Sequence, residues 1–157
     1  MATPSRRVWA GILWAGLAAG VGDTLLPIAM HRVGPVRIYQ SVAAGVLGRA
    51  SFDGGLATAA LGMALHFVIA TTAAACYFVA SARLRALVER AVPCGLAFGV
   101  AVYFFMKDLV VPLSAAREIR FTWTALLGHA LLVGLPIALV ARRSLADPGG
   151  KRDAAVA

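Results

Sequence analysis

The sequence predicts an all-α fold, a four-transmembrane-helix bundle with a short interfacial or re-entrant helix between its first and second spans. Three observations carry that prediction. Four apolar stretches, each about as long as a bilayer is thick, fill most of the 157 residues. Hydrophobic residues make up 61% of the chain and charged residues 14%, where a soluble domain carries about a quarter charged residues; the mean hydropathy is +0.82. The basic residues form short clusters between the apolar stretches, as the flanks of spanning helices do. A net charge of +8 distributed in that way argues against nucleic acid as a partner, which would call for one basic stripe.

The first span is expected over about residues 8–30. Ser5, Arg6 and Arg7 precede it in the manner of a twin-arginine leader. The apolar run nevertheless continues to Met30, well past the core of about 7–15 residues of an export signal, with no small-x-small site at its end. A retained helix is therefore expected. The stretch 38–52, IYQSVAAGVLGRASF, is too short to span and too apolar for an ordinary loop. Ile38, Val42 and Val46 follow helical spacing while Gln40, Ser41 and Arg49 supply a polar side, which suits a helix lying at the interface or entering it again. There those three polar residues are candidates for a lid over the mouth of the bundle, or simply the wet face of a helix resting on the headgroups.

The second span is expected over about 55–80, the third over about 93–113 and the fourth over about 121–141. At about 1.5 Å per residue each crosses a hydrocarbon core of roughly 30 Å. Lys107 and Asp108 interrupt the third, and Pro112 ends its regular hydrogen bonding. Residues 1–141 form one membrane domain on this reading. The remainder, 142–157, RRSLADPGGKRDAAVA, has turn residues and no apolar period, and is expected to be a disordered cytoplasmic tail.

If the termini share a side, that side holds Arg6, Arg7, Arg83, Arg85, Arg90, Arg142, Arg143, Lys151 and Arg152. The other holds Arg32, Arg37, Arg49, Lys107, Arg117 and Arg120. The bias places both termini in the cytoplasm of a bacterial inner membrane, and its small size leaves dual insertion open. Cys76 and Cys94 are too few for a disulfide framework and read as small packing residues.

Small residues mark the faces turned towards protein. Gly16 and Gly20 in the first span, and Gly95 and Gly99 in the third, have the GxxxG spacing that lets backbones approach where lipid offers no hydrophobic drive for association. In the second span Gly55, Ala59, Gly62, His66, Ala70 and Ala73 share one stripe. Such faces serve packing within the chain, a homo-oligomer, or a larger membrane complex for which this protein is a scaffold or accessory subunit.

The polar residues inside the spans are the candidate site. Asp23 continues the Gly16–Gly20 stripe, and a charged aspartate at the middle of a spanning helix costs on the order of 2.5–3.5 kcal/mol, so it is expected to turn from lipid. Pro27, four residues on, lacks the N–H that would bond the Asp23 carbonyl. With helices alternating in direction, Asp23, His66 and His129 lie roughly 10, 16 and 12 Å from their outer helix ends by the helical rise. Tyr103, Lys107 and Asp108 reach the same half of the membrane from the third span. A shared outward-facing polar cavity is the expectation, with a histidine beside a carboxylate able to pass protons. No cofactor is expected; the alternative is a b-type haem held between His66 and His129, against which stand the absence of a CxxCH motif, the single histidine pair and the bulky Phe67 after His66.

The run IYQSVAAGVLGRASFDGG, followed by ALGMALHFVIA with His66, VYFFM at 102–106, VPLS at 111–114 and GHALLVGLPIAL at 128–139, resembles an uncharacterised family of small bacterial inner-membrane proteins, the YagU-like proteins. The resemblance covers about residues 38–141 and implies a four-helix integral membrane protein. It brings no catalytic or binding residues with it.

Three function classes follow: a small transporter or channel-like subunit, a scaffold of a membrane complex, and a bis-histidine haem protein. An enzyme is not expected. The sequence has no GxSxG elbow, no HExxH and no phosphate-cradling glycine loop, although Ser41, Ser114, His66 and His129 are an intramembrane set with the right chemistry.

Overall fold

The computed structural model describes residues 5–116 and 120–146, and every regular element among them is helical. In chain order these are α1 (Arg6–His31), α2 (Pro35–Leu47) with a 3₁₀ turn (Gly48–Phe52), α3 (Gly55–Ser81), α4 (Ala86–Glu89) and α5 (Ala91–Phe105), which a π-helical turn prolongs (Met106–Val110). The last span is α6 (Trp123–Gly128), a second π turn (His129–Gly134) and α7 (Leu135–Leu145). Four stretches are long and apolar enough to cross a bilayer: Arg6–Met30, Gly55–Ser81, Ala91–Val110 and Trp123–Leu145. Between 17% and 39% of each of these spans' apolar windows is buried within the chain, so the rest needs lipid or a partner around it. The protein is a membrane protein.

The element ends have local causes. α2 begins at Pro35, three residues before the expected start, because proline at the first helical position gives up an N–H that would be orphaned there anyway. It stops at Gly48, whose φ of 59° no ordinary residue adopts cheaply. Thr122 caps the final span, its Oγ1 accepting from the Ala125 N–H at 3.3 Å. That span does not end at Ala141: α7 continues to Leu145, with Arg142 and Arg143 in its last turn, where cations suit the negative end of the helix dipole. Residues 147–157 of the expected tail lie outside the described residues, as does Arg117. Regular α-helix in the third span ends at Phe105, ahead of Pro112, where the π turn takes over.

Glycine contacts fix the register. A methyl group built on Gly16 would lie 2.7 Å from the Thr71 Cα, and one on Gly20 would strike the Phe67 ring at 2.7 Å, so α1 runs antiparallel along α3. On its other side Gly11 faces Ser144, Gly22 faces Leu132 and Gly128 faces Leu26, which sets α1 antiparallel to the last span. Gly95 meets Ala138 at 2.6 Å and Gly99 meets the Ala130 Cα at 2.6 Å, placing α5 against the far side of that span. The row α3, α1, last span, α5 curls so that its two ends meet through the Tyr77 and Phe98 rings, 5.0 Å apart. Both GxxxG faces are therefore consumed by packing within the chain.

The apolar core sits in the half of the bundle near the termini. Ile12, Ala15, Ala74, Tyr77, Phe78, Val133, Ile137 and Ala141 are buried together there, and the Tyr77 hydroxyl donates to the Leu87 carbonyl beside α4 at 3.0 Å. In the other half the space is closed by α2. Gly62 lets α2 press onto α3, since a Cβ there would overlap the Tyr39 carbonyl. Gln40 Nε2 donates to the Gly55 carbonyl at 3.1 Å, and the Ala115 N–H donates to the Gly45 carbonyl at 3.0 Å, so α2 is pinned at two further places.

Candidate functional site

Opposite the packed core, the bundle opens into a cavity of about 290 Å³. α1 contributes Asp23 and Met30, α2 contributes Ser41, α3 contributes His66, the third span Tyr103 and Lys107, and the last span Thr122 and His129. Asp23, His66, Tyr103, Lys107 and His129, drawn from four different helices, thus line one space. Leu26, Pro27, Ile38, Val42 and Met106 make its apolar walls.

Asp108, the sixth residue expected there, does not line it. Its side chain is 54% exposed and pairs with the Lys107 ammonium, since neighbouring residues on a helical turn project in different directions. Among the lid candidates only Ser41 reaches the cavity, its hydroxyl donating to the Ile38 carbonyl at 2.6 Å. Gln40 is buried as the pin described above. Arg49 is exposed in the 3₁₀ turn, outside the cavity lining.

Two histidines are held differently. The His66 Nε2 lies 2.9 Å from the Gly20 carbonyl oxygen, which can only accept, so Nε2 carries a hydrogen and donates. Thr24 Oγ1 donates to the same carbonyl at 2.8 Å and stands 3.3 Å from the His66 Nε2. Its own lone pair takes the Tyr39 hydroxyl at 3.3 Å. Tyr39, Thr24 and His66 thereby tie α2, α1 and α3 together at the cavity wall. At the other wall the His129 Nδ1 donates to the Ala125 carbonyl at 3.0 Å, which fixes the neutral tautomer and leaves Nε2 to take up a proton. The Asp23 Oδ1 is 3.7 Å from the same Nδ1, close enough to form an ion pair when the ring is charged. The Tyr103 ring meets the His129 ring edge-on at 5.3 Å, and its hydroxyl accepts from the Thr122 N–H at 3.4 Å.

His129 sits at the start of the second π turn, and Lys107 within the first. Such turns recur at functional sites because one extra residue re-aims the side chains around it. Gly99 and Gly134 lie at the second, where both backbones come so close that a Cβ on either would overlap the other helix. As axial ligands for a haem the histidines fit poorly, since ligation through the His66 Nε2 would break its bond to Gly20 and its contact with Thr24.

Sequence reasoning did not single out Thr24, Tyr39 or Thr122. Thr24 had a readable signal: it lies four residues past Gly20 and eight past Gly16, on the stripe that already marked the inward face. Tyr39 and Thr122 lie just outside the polar residues that drew attention. No family model matches this chain, and neither a curated protein nor a solved structure was found to be similar to it.

Proposed function

We propose that the protein is a small transporter or channel-like subunit of the bacterial inner membrane, with both termini in the cytoplasm, in which the cavity holds the solute and Asp23 and His129 exchange protons. The observation that supports this reading most is the 3.7 Å approach of Asp23 to His129 inside a cavity that four spans share. Ionisable groups within spans are costly in lipid and recur along solute pathways and proton relays. The tautomer held by Ala125 suits a relay: Nδ1–H donates to the carbonyl with the Asp23 carboxylate 3.7 Å away, and Nε2 is left as the proton-accepting nitrogen.

The test is proton flux in proteoliposomes loaded with a pH-sensitive dye, comparing wild type with Asp23→Asn. A flux that the substitution abolishes supports the reading. Equal flux in both removes Asp23 from the mechanism, and no flux in either across imposed proton and solute gradients overturns it.

A further inference from the structure

The cavity has a chemical character of its own, and the geometry points to a small amphiphilic ammonium ion as its ligand, the charged amine on Asp23 and the hydrocarbon end against Met30, Met106 and Leu26. This inference rests on the same cavity as the transport reading and names the class of solute.

Charge is the first argument. The Lys107 ammonium already has the Asp108 carboxylate as its counter-ion. Among the described residues the partner of Asp23 is His129, whose Nδ1 is 3.7 Å away and already donates to the Ala125 carbonyl. Asp23 and Lys107 are the two formally charged side chains of the described lining, and with the Lys107 charge taken up by Asp108 the Asp23 carboxylate is the group left to meet a cation. None of the described arginines lines it, and the Arg37 guanidinium is instead stacked over the Phe52 ring at 4.8 Å.

The walls are the second. Two thioethers, a leucine, an isoleucine and a valine face the space, and methionine adapts its shape to varied hydrocarbon. A bare metal ion or an inorganic cation would gain nothing from such walls, whereas the apolar end of an organic amine loses water against them. Aromatic rings add to this: Tyr103 and His129 stand at the carboxylate end, where a ring face attracts a cation. At about 290 Å³ the cavity lies at the lower end of ligand pockets, so the amine is smaller than drug-sized.

The experiment is equilibrium dialysis of the protein in lipid nanodiscs against three probes of one shape: 2-phenylethylammonium, 2-phenylethanol and 3-phenylpropionate. Empty nanodiscs give the contribution of lipid partitioning. Expected is saturable binding of the ammonium ion alone, one per chain, weakened at least tenfold by Asp23→Asn. A linear uptake equal to that of empty nanodiscs overturns the inference. So does saturable binding of the alcohol or the carboxylate as tight as that of the amine, or unchanged binding by Asp23→Asn. The wild-type series alone suffices if that variant fails to fold. Because binding is read without flux, saturable ammonium uptake in a protein that transports no protons would retain the site and discard the transport reading, and the converse would discard the amine.

Discussion

Replacing Gly62 by alanine tests how α2 is held over the cavity. The new methyl carbon would overlap the Tyr39 carbonyl oxygen, lie 2.6 Å from the Tyr39 carbonyl carbon and 3.1 Å from the Ala43 nitrogen. All three atoms are backbone, so no side chain can swing aside and α2 must move as a whole. Overpacking of this kind costs about 1–3 kcal/mol. The displacement also strains two bonds that α2 makes, Gln40 to Gly55 at 3.1 Å and Tyr39 to Thr24 at 3.3 Å, and losing either adds about 0.5–1.5 kcal/mol. The folded-to-unfolded ratio is then expected to fall about 5- to 150-fold from the steric part alone. Gly45→Ala is the matched control on α2 itself, because its Cβ would meet only Ser114, at 3.8 and 3.9 Å, an ordinary contact with an expected change within about 0.5 kcal/mol. The assay is unfolding by SDS titrated into dodecyl maltoside micelles, followed by helical circular dichroism. If both variants unfold at the same SDS fraction, the close packing of α2 on α3 is not what holds the cavity shut.

Gly99→Val places branched carbon against the Ala130 Cα, 2.6 Å from the first new atom, and is expected to cost at least about 1–3 kcal/mol in the same titration, with the second π turn reverting towards regular helix by backbone amide shifts. Thr24→Val removes the hydroxyl that takes the Tyr39 proton and donates to Gly20; an expected loss of about 1–3 kcal/mol is recovered by Thr24→Ser, a rescue that a purely steric role would not show.

The spans were legible because apolar length is a property of sequence alone, and the meeting of Asp23, His66, Tyr103, Lys107 and His129 followed from alternating helix direction plus the small-residue stripes. What sequence could not show lies in backbone geometry. The π turns at Met106–Val110 and His129–Gly134 have no composition of their own, and Gly99 and Gly134 mark a close approach of backbones at the second alone. Nor does composition tell that Asp108, adjacent to Lys107 in sequence, turns away from the cavity while Lys107 lines it. The start of α2 was misplaced for a different reason: apolar periodicity begins at Ile38, whereas Pro35 nucleates the helix through its fixed φ rather than through its hydrophobicity.

The two halves of the bundle are stabilised by different forces, and the difference bears on function. Near the termini, alanines and glycines let the helices close around Tyr77, Phe78 and Ile137, all within 3% of full burial, and nothing polar needs to rearrange for that half to stay shut. Around the cavity, α2 adds single hydrogen bonds to its close packing on α3 at Gly62, Gln40 to Gly55, Tyr39 to Thr24 and Ala115 to Gly45, while His66 to Gly20 ties α3 to α1. Bonds of this kind contribute about 1 kcal/mol each net, so they break and re-form singly at little cost, whereas a packed apolar core opens only by losing many contacts together. Lifting α2 from α3 to admit a solute to Asp23 therefore means giving up the close backbone contact at Gly62 together with these bonds, which is why a substitution at Gly62 is expected to loosen the cavity.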